Sequence, residues 1–157
     1  MILQRVEQAD WLSNSYLVID RPGGSGVLVD SNGVIEPLLE RIDREGTDLT
    51  HIIVTHDHWD HVVGIGDLAK ERGVPVAAHP LTAEKVDFAA DILLGDGDKL
   101  RSGDLEIEAI FTPGHAAGHQ ALDVLVEMGV DTQRLGGVRR LAAGPQPQPE
   151  RGAPQHV

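Results

Sequence analysis

Through residues 1–130, short unbroken apolar runs alternate with runs in which apolar residues recur every three or four positions. Ser15 to Ile19 (SYLVI) and Gly26 to Asp30 (GVLVD) flank the turn-forming RPGG at 21–24, which predicts a β-hairpin. In Ile35 to Glu45, Ile35, Leu38, Leu39 and Ile42 fall at helical spacing, and Gly46 supplies a C-terminal stop. Leu49 to Thr55 (LTHIIVT) reads as a buried strand. Ile65 to Arg72 reads as a helix closed by Gly73, and Val74 to Ala78 as another strand. Leu81 to Leu94 is expected to be helical, GDGDKLRSGD is turn-rich, and Leu105 to Phe111 (LEIEAIF) alternates as a half-buried strand does. Strands and helices in alternation imply an α/β layered fold. No internal repeat interrupts the pattern.

The pattern changes at Asp131. The last 27 residues, DTQRLGGVRRLAAGPQPQPERGAPQHV, carry four arginines against two acids, so this segment is about +2. Subtracted from the total of −12, that leaves residues 1–130 at about −14. Four of the nine prolines lie between residues 145 and 154. So little apolar material cannot offset the entropy of ordering, and disorder is expected from about Gly144, with a short helix before it. The organisation expected is one domain over residues 1–130 and a non-matching Arg/Pro-rich tail over 131–157.

Composition narrows the chemistry. Aromatic residues make up 3% of the chain, so the 41% of hydrophobic residues that build the core must be chiefly Val, Leu, Ile and Ala. The acidic balance disfavours nucleic acid and anionic membrane as partners, since both are polyanions. With no cysteine, disulfides, thiolate ligands and a cysteine nucleophile are excluded together. No run approaches a membrane span and the start lacks a signal-like apolar stretch, so a soluble cytoplasmic protein is expected.

Against this background, residues 54–61 read VTHDHWDH, three of the eight histidines within one octapeptide. His56 and His58 are two apart in an extended stretch, so both imidazoles project to one side. Asp60 and His61 follow where the next helix should begin and are aimed at a neighbouring point. Imidazole with carboxylate suits zinc, and also iron or manganese. The bland alternative is a solvated loop whose histidines cap the next helix, and four ligand-type residues directly after an apolar strand outweigh it. A second region, FTPGHAAGH at 111–119, presents His115 at the end of a strand as the natural third ligand. His56, His58 and His115 would then leave a coordination position open, as a catalytic zinc site requires. His119 is expected beside the site or exposed, Asp57 and Trp59 are spacers, and His51, His79 and His156 are structural or solvent-facing.

These motifs resemble the metallo-β-lactamase fold superfamily of metal-dependent hydrolases. THDHWDH matches its H-x-H-x-D-H motif at His56, His58, Asp60 and His61, and TPGH matches the segment carrying the next histidine ligand. SNSYLVI and GVLVD are further marks, with Asp30 similar to the buried aspartate that supports the metal loop. LLGDGDKLRSGDLEIEAIFTPGHAAGH resembles the hydroxyacylglutathione hydrolases and related thioesterases. The resemblance runs to about residue 125. It implies an αββα sandwich, here the first half and the start of the second, with one or two metals at the sheet edges. It also implies zinc-dependent hydrolysis of an ester-like bond, a thioester before a lactone, with Asp60 as catalytic carboxylate and second-metal ligand.

Past that point the family's bridging aspartate and closing histidine have no match. Asp131 comes too early and His156 sits among Pro and Gln. The expectation is a truncated or frame-shifted relative, a metal-binding fragment of low activity, or a half-domain completed by a partner. Its open sheet would favour self-association or aggregation.

Overall fold

A computed structural model describes residues 1–126 and 139–141 of the chain. Fourteen elements, one of them a single 3-10 turn, follow one another in the described residues. The first is an antiparallel ribbon, β1 (Ile2–Gln8) and β2 (Ser13–Ile19), extended by β3 (Ser25–Val29). Helix α1 (Glu36–Glu45) then crosses to β4 (Asp48–Val54), which lies parallel to β3. A 3-10 turn (Trp59–His61) and α2 (Ile65–Arg72) lead to β5 (Val76–Ala78), parallel to β4. After the short α3 (Pro80–Ala83), β6 (Ile92–Leu93) completes a six-stranded sheet in sequential order. The second sheet contains β7 (Lys99–Ser102), β8 (Leu105–Phe111), β9 (Gln120–Val126) and β10 (Arg139–Leu141), in spatial order β10-β9-β8-β7 and all antiparallel.

Two cores follow from the alternation of side chains along the strands. Leu17, Leu28, Ile52 and Val76 face Leu38 and Ile42 of α1 and Ile65 and Leu68 of α2, which forms the helix–sheet layer. Val18, Val27, Ile53 and Ala77 point the other way, against Leu105, Ile107, Leu122 and Val124 of the second sheet. β4 is therefore apolar on both faces, which is why LTHIIVT reads as a continuous run and not as an alternation. Each large side chain fully buried in these layers contributes about 1.5–3 kcal/mol of transfer free energy. Among the described residues the layers run helix, sheet, sheet, three of the four layers of the expected αββα arrangement.

Both long helices stop where the sequence placed their glycines. Gly46 and Gly73 close α1 and α2 in the left-handed conformation, with φ of 64° and 66°, and donate their N–H to Ile42 and Ala69.

One expectation needs correction. Leu81–Leu94 is not one helix: it breaks after α3, and turns carry the chain to β6. Tertiary contacts override the helical pattern here. Phe88 packs so closely on α2 that a Cβ at Gly66 would lie 2.8 Å from it, and the Asp91 carboxylate accepts from the Val76 N–H at 2.9 Å. Of the segment in which a short helix is expected before Gly144, only Arg139–Leu141 is described, and there the backbone pairs with β9 as a strand. The rest of that tail, including His156 and the disorder expected from Gly144, lies outside the described residues, as do residues 127–138.

Candidate metal centre

The C-terminal ends of β3 and β4 and the β8–β9 loop meet at one rim of the two sheets. Gln120 ties them together: its N–H reaches the Thr55 carbonyl at 3.0 Å, and its side-chain amide donates to the Val54 carbonyl at 3.1 Å. The loop that follows β4 is laced to the end of β3. Ser31 N–H donates to the His61 carbonyl at 2.8 Å, Val63 N–H returns to Ser31 at 3.0 Å, and the Ser31 hydroxyl donates to the Val63 carbonyl at 2.6 Å. Within that loop, His61 N–H closes the 3-10 turn on the His58 carbonyl at 3.0 Å. This turn swings Asp60 and His61 inward while Trp59 stays on the surface, 57% exposed.

The β8–β9 loop is closed at its base by Thr112 N–H on the His119 carbonyl at 2.9 Å. Its far side is anchored by the Thr82 hydroxyl, which donates to the Gly118 carbonyl at 3.0 Å. The approach is so tight that a Cβ at Gly118 would lie 2.6 Å from the Thr82 backbone nitrogen. A side chain therefore has no room there, and the loop presents His115 to the rim.

As a result His56, His58 and His115 come together. One ligand nitrogen from each lies within 4.8 Å of the others, and their ring centroids are 4.5–5.0 Å apart. Their burial is graded, with His56 buried, His58 half-buried and His115 exposed, so the cluster opens to solvent on one side. Asp60 and His61 are both buried beside it, with His61 Nε2 3.8 Å from Asp60 Oδ2.

Burial and then the neighbouring imidazoles push His56 down to about 2. Burial lowers His115 and His119 as well. At neutral pH these rings are uncharged and offer lone pairs, the form a metal needs. His61 goes the other way. Burial pulls it down, but its hydrogen bond to Asp30 and the Asp30 and Asp60 charges together hold it above the ordinary histidine value.

Does this set fit a metal? His56 Nε2 is buried with no hydrogen-bond partner, a polar atom whose desolvation nothing in the chain offsets. An ion held among the three imidazoles would satisfy it. Asp30, His56 and His61 also lie within 4.8 Å of one another. In that group, however, the Asp30 oxygens already accept from Thr55 N–H at 2.7 Å, the Thr55 hydroxyl at 2.6 Å and His61 Nδ1 at 2.9 Å. Asp30 is therefore a support under the site and does not face into it.

The remaining sequence-level assignments divide. His119 is buried, its ring 5.2 Å from that of His56 and its Nδ1 2.8 Å from the Thr112 hydroxyl, so of its two expected places the exposed one is excluded. Asp57 pairs with Lys85 at 3.2 Å. His79 caps α3 and stacks on Phe111, and His51 Nδ1 contacts the Thr50 hydroxyl at 2.9 Å. Sequence reasoning passed over Thr55, Thr112 and Gln120. Thr55 does stand directly before the histidine motif, a signal that was available.

Comparison with known proteins follows the same boundaries. Residues 9–127 match the family model of the metallo-β-lactamase superfamily. A hydroxyacylglutathione hydrolase of Rhodopseudomonas palustris is 42% identical over 105 residues, covering 66% of this chain and 40% of that protein. A human hydroxyacylglutathione hydrolase-like protein is 40% identical over 107 residues, covering 68% of this chain and 35% of that protein. The chain thus matches well under half the length of these relatives. Among solved structures, that of ETHE1 from Myxococcus xanthus superposes with a TM-score of 0.69 at 25% identity, over 79% of this chain and 54% of that one. A B3 metallo-β-lactamase with an active-site glutamic acid superposes at 0.66 and 24% identity, over 83% and 56%.

Proposed function

Because the chain belongs to the metallo-β-lactamase superfamily, we propose that it is a metal-dependent hydrolase of ester-like bonds, with a thioester as substrate. The observation that carries this reading is the convergence of His56, His58 and His115 around the unpartnered Nε2 of His56. The thioester is favoured by the relatives named hydroxyacylglutathione hydrolase, of which this chain matches only part.

In this proposal His56, His58 and His115 hold the metal. Zinc is the first choice for three imidazoles, with iron or manganese as alternatives. A divalent metal held there supplies a water of pKa near 7 and an electrophile for the carbonyl oxygen. The chain's own part is to keep His56 and His115 neutral, to leave the His115 side open for substrate, and to place the Asp60 carboxylate beside the cluster. Asp60 would orient the attacking water and accept its proton. With His61 it would also form half of a second metal position. Small-molecule substrates, no nucleic acid, no membrane, a cytoplasmic setting and self-association through an open sheet belong to the same proposal. Among the described residues no helix is long and apolar enough to cross a membrane.

The test is hydrolysis of a hydroxyacylglutathione thioester and of a simple lactone by protein reconstituted with zinc, iron or manganese. Metal-dependent loss of the thioester supports the proposal, and preference for the lactone replaces the substrate class. A second reading is favoured by the second metal position, for which the described residues assemble only Asp60 and His61. On that reading the chain binds metal with little turnover. Bound metal with neither substrate consumed would select it.

A further inference from the structure

Asp30 directly follows β3 with φ of 59°, a left-handed backbone rare outside glycine, and its side chain is buried beneath the histidines. Such conformations persist where surrounding contacts over-determine them. Here Oδ1 accepts from Thr55 N–H at 2.7 Å, while Oδ2 lies 2.6 Å from the Thr55 hydroxyl and 2.9 Å from His61 Nδ1. The same Thr55 hydroxyl lies 3.0 Å from His56 Nδ1.

A hydroxyl has one proton to donate, and two acceptors cannot share it equally. The Asp30 carboxylate is charged and closer, so it takes the Thr55 proton. Only the oxygen lone pairs then face His56 Nδ1, and that nitrogen can meet them only as an N–H donor. The neutral ring is thereby fixed with its proton on Nδ1 and its lone pair on Nε2, the buried atom without a partner. His61 meets Asp30 directly through Nδ1, which leaves its Nε2 on the Asp60 side.

We propose that Thr55 is a positioning residue, which relays the Asp30 carboxylate to His56 so that Nε2 of His56 is held ready for the metal. A single oxygen, Asp30 Oδ2, then sets the tautomers of two imidazoles, one through Thr55 and one directly. Losing the hydroxyl frees only the first. This inference rests on the metal-site reading above, but its primary readout needs neither metal nor substrate.

The experiment records histidine ring nitrogen resonances of the metal-free protein at mildly alkaline pH, together with zinc affinity from competition with a chelator. Wild type, Thr55→Val and Thr55→Ser are compared. His56 is expected to carry its proton on Nδ1 in the wild type and to lose that bias in Thr55→Val, while His61 stays protonated on Nδ1. Zinc affinity should fall about 10–100-fold in Thr55→Val, the range for loss of a hydrogen bond that orients a ligand. Thr55→Ser should restore both. A wild-type His56 protonated on Nε2 overturns the proposal, as does an unchanged zinc affinity in Thr55→Val. Should the valine variant fail to fold, the wild-type spectrum decides alone. Absence of thioesterase activity with the expected tautomer would sink the proposed reaction and leave this relay standing.

Discussion

His56 shows how much one buried imidazole shapes the behaviour of the metal-free chain. Its folded-state value near 2 lies far below the ordinary 6.5, so between those values the unfolded state binds the proton that the folded state refuses. Stability is therefore fully present above about 6.5 and declines as pH falls toward 2. His115 and His119 are lowered too and act in the same direction. His61 is raised and opposes them, since its contribution is present below 6.5 and fades as pH rises through its folded value. Burial lowers His51 too, and four lowered rings against one raised predict a melting temperature of metal-free protein that drops on acidification, with a shallower drop in His56→Asn. A parallel pH dependence of wild type and variant would show that His56 is not the group responsible. With zinc bound, the fall should begin at lower pH, because protons must displace the metal before they reach the rings.

The elements explain why the site forms where it does, and how far it can be read without coordinates. β4 delivers Thr55 and His56 because Ile52 and Ile53 anchor opposite faces of the strand, both fully buried. Ile53→Ala should cost about 2–5 kcal/mol in chemical denaturation, as for other large-to-Ala changes in a packed layer. A loss below about 1 kcal/mol would mean that the two sheets do not close there. The β8–β9 loop depends on Gly118 in a different way. Gly118→Ala pushes against Thr82, so zinc affinity should fall together with melting temperature, and a variant of unchanged affinity would show that the loop contact does not place His115. The strands and helices that were legible are those whose pattern agrees with their burial: Leu105–Phe111, the two glycine-capped helices, and the apolar run before the histidines. The motif itself was legible because four ligand-type side chains lie within six residues, and Pro113-Gly114 marks the turn that bears His115. What escaped was set by contacts between distant segments. The turn after α3 depends on Phe88 meeting Gly66, the burial of His119 depends on Thr112, and the role of Thr55 depends on an aspartate 25 positions away.

At the scale of the whole molecule, the two-sheet body is matched to relatives that are much longer than this chain. The outer face of the second sheet is not bare apolar surface: Lys99 and Arg101 pair with Glu106 at 2.6 Å and 2.9 Å, and Glu108 and Asp123 stand opposite each other across β8 and β9. Exposed ion pairs add little stability, but charged edge strands oppose sheet-to-sheet pairing. If self-association occurs it should therefore weaken with dilution, which light scattering across a concentration series would register; a dimer that persists at all concentrations would point to an interface elsewhere. Turnover should be slow beside a relative that fills two metal positions, since among the described residues only Asp60 and His61 are assembled for a second metal, and vigorous hydrolysis by this chain would contradict that. The functional expectations depend on three imidazoles from two distant segments holding one ion. Equilibrium dialysis of wild type and His115→Ala against zinc, with metal content read by mass spectrometry, tests this most directly. About one zinc per wild-type chain, at concentrations where the variant retains almost none, is the predicted result; equal zinc in both proteins would contradict the account.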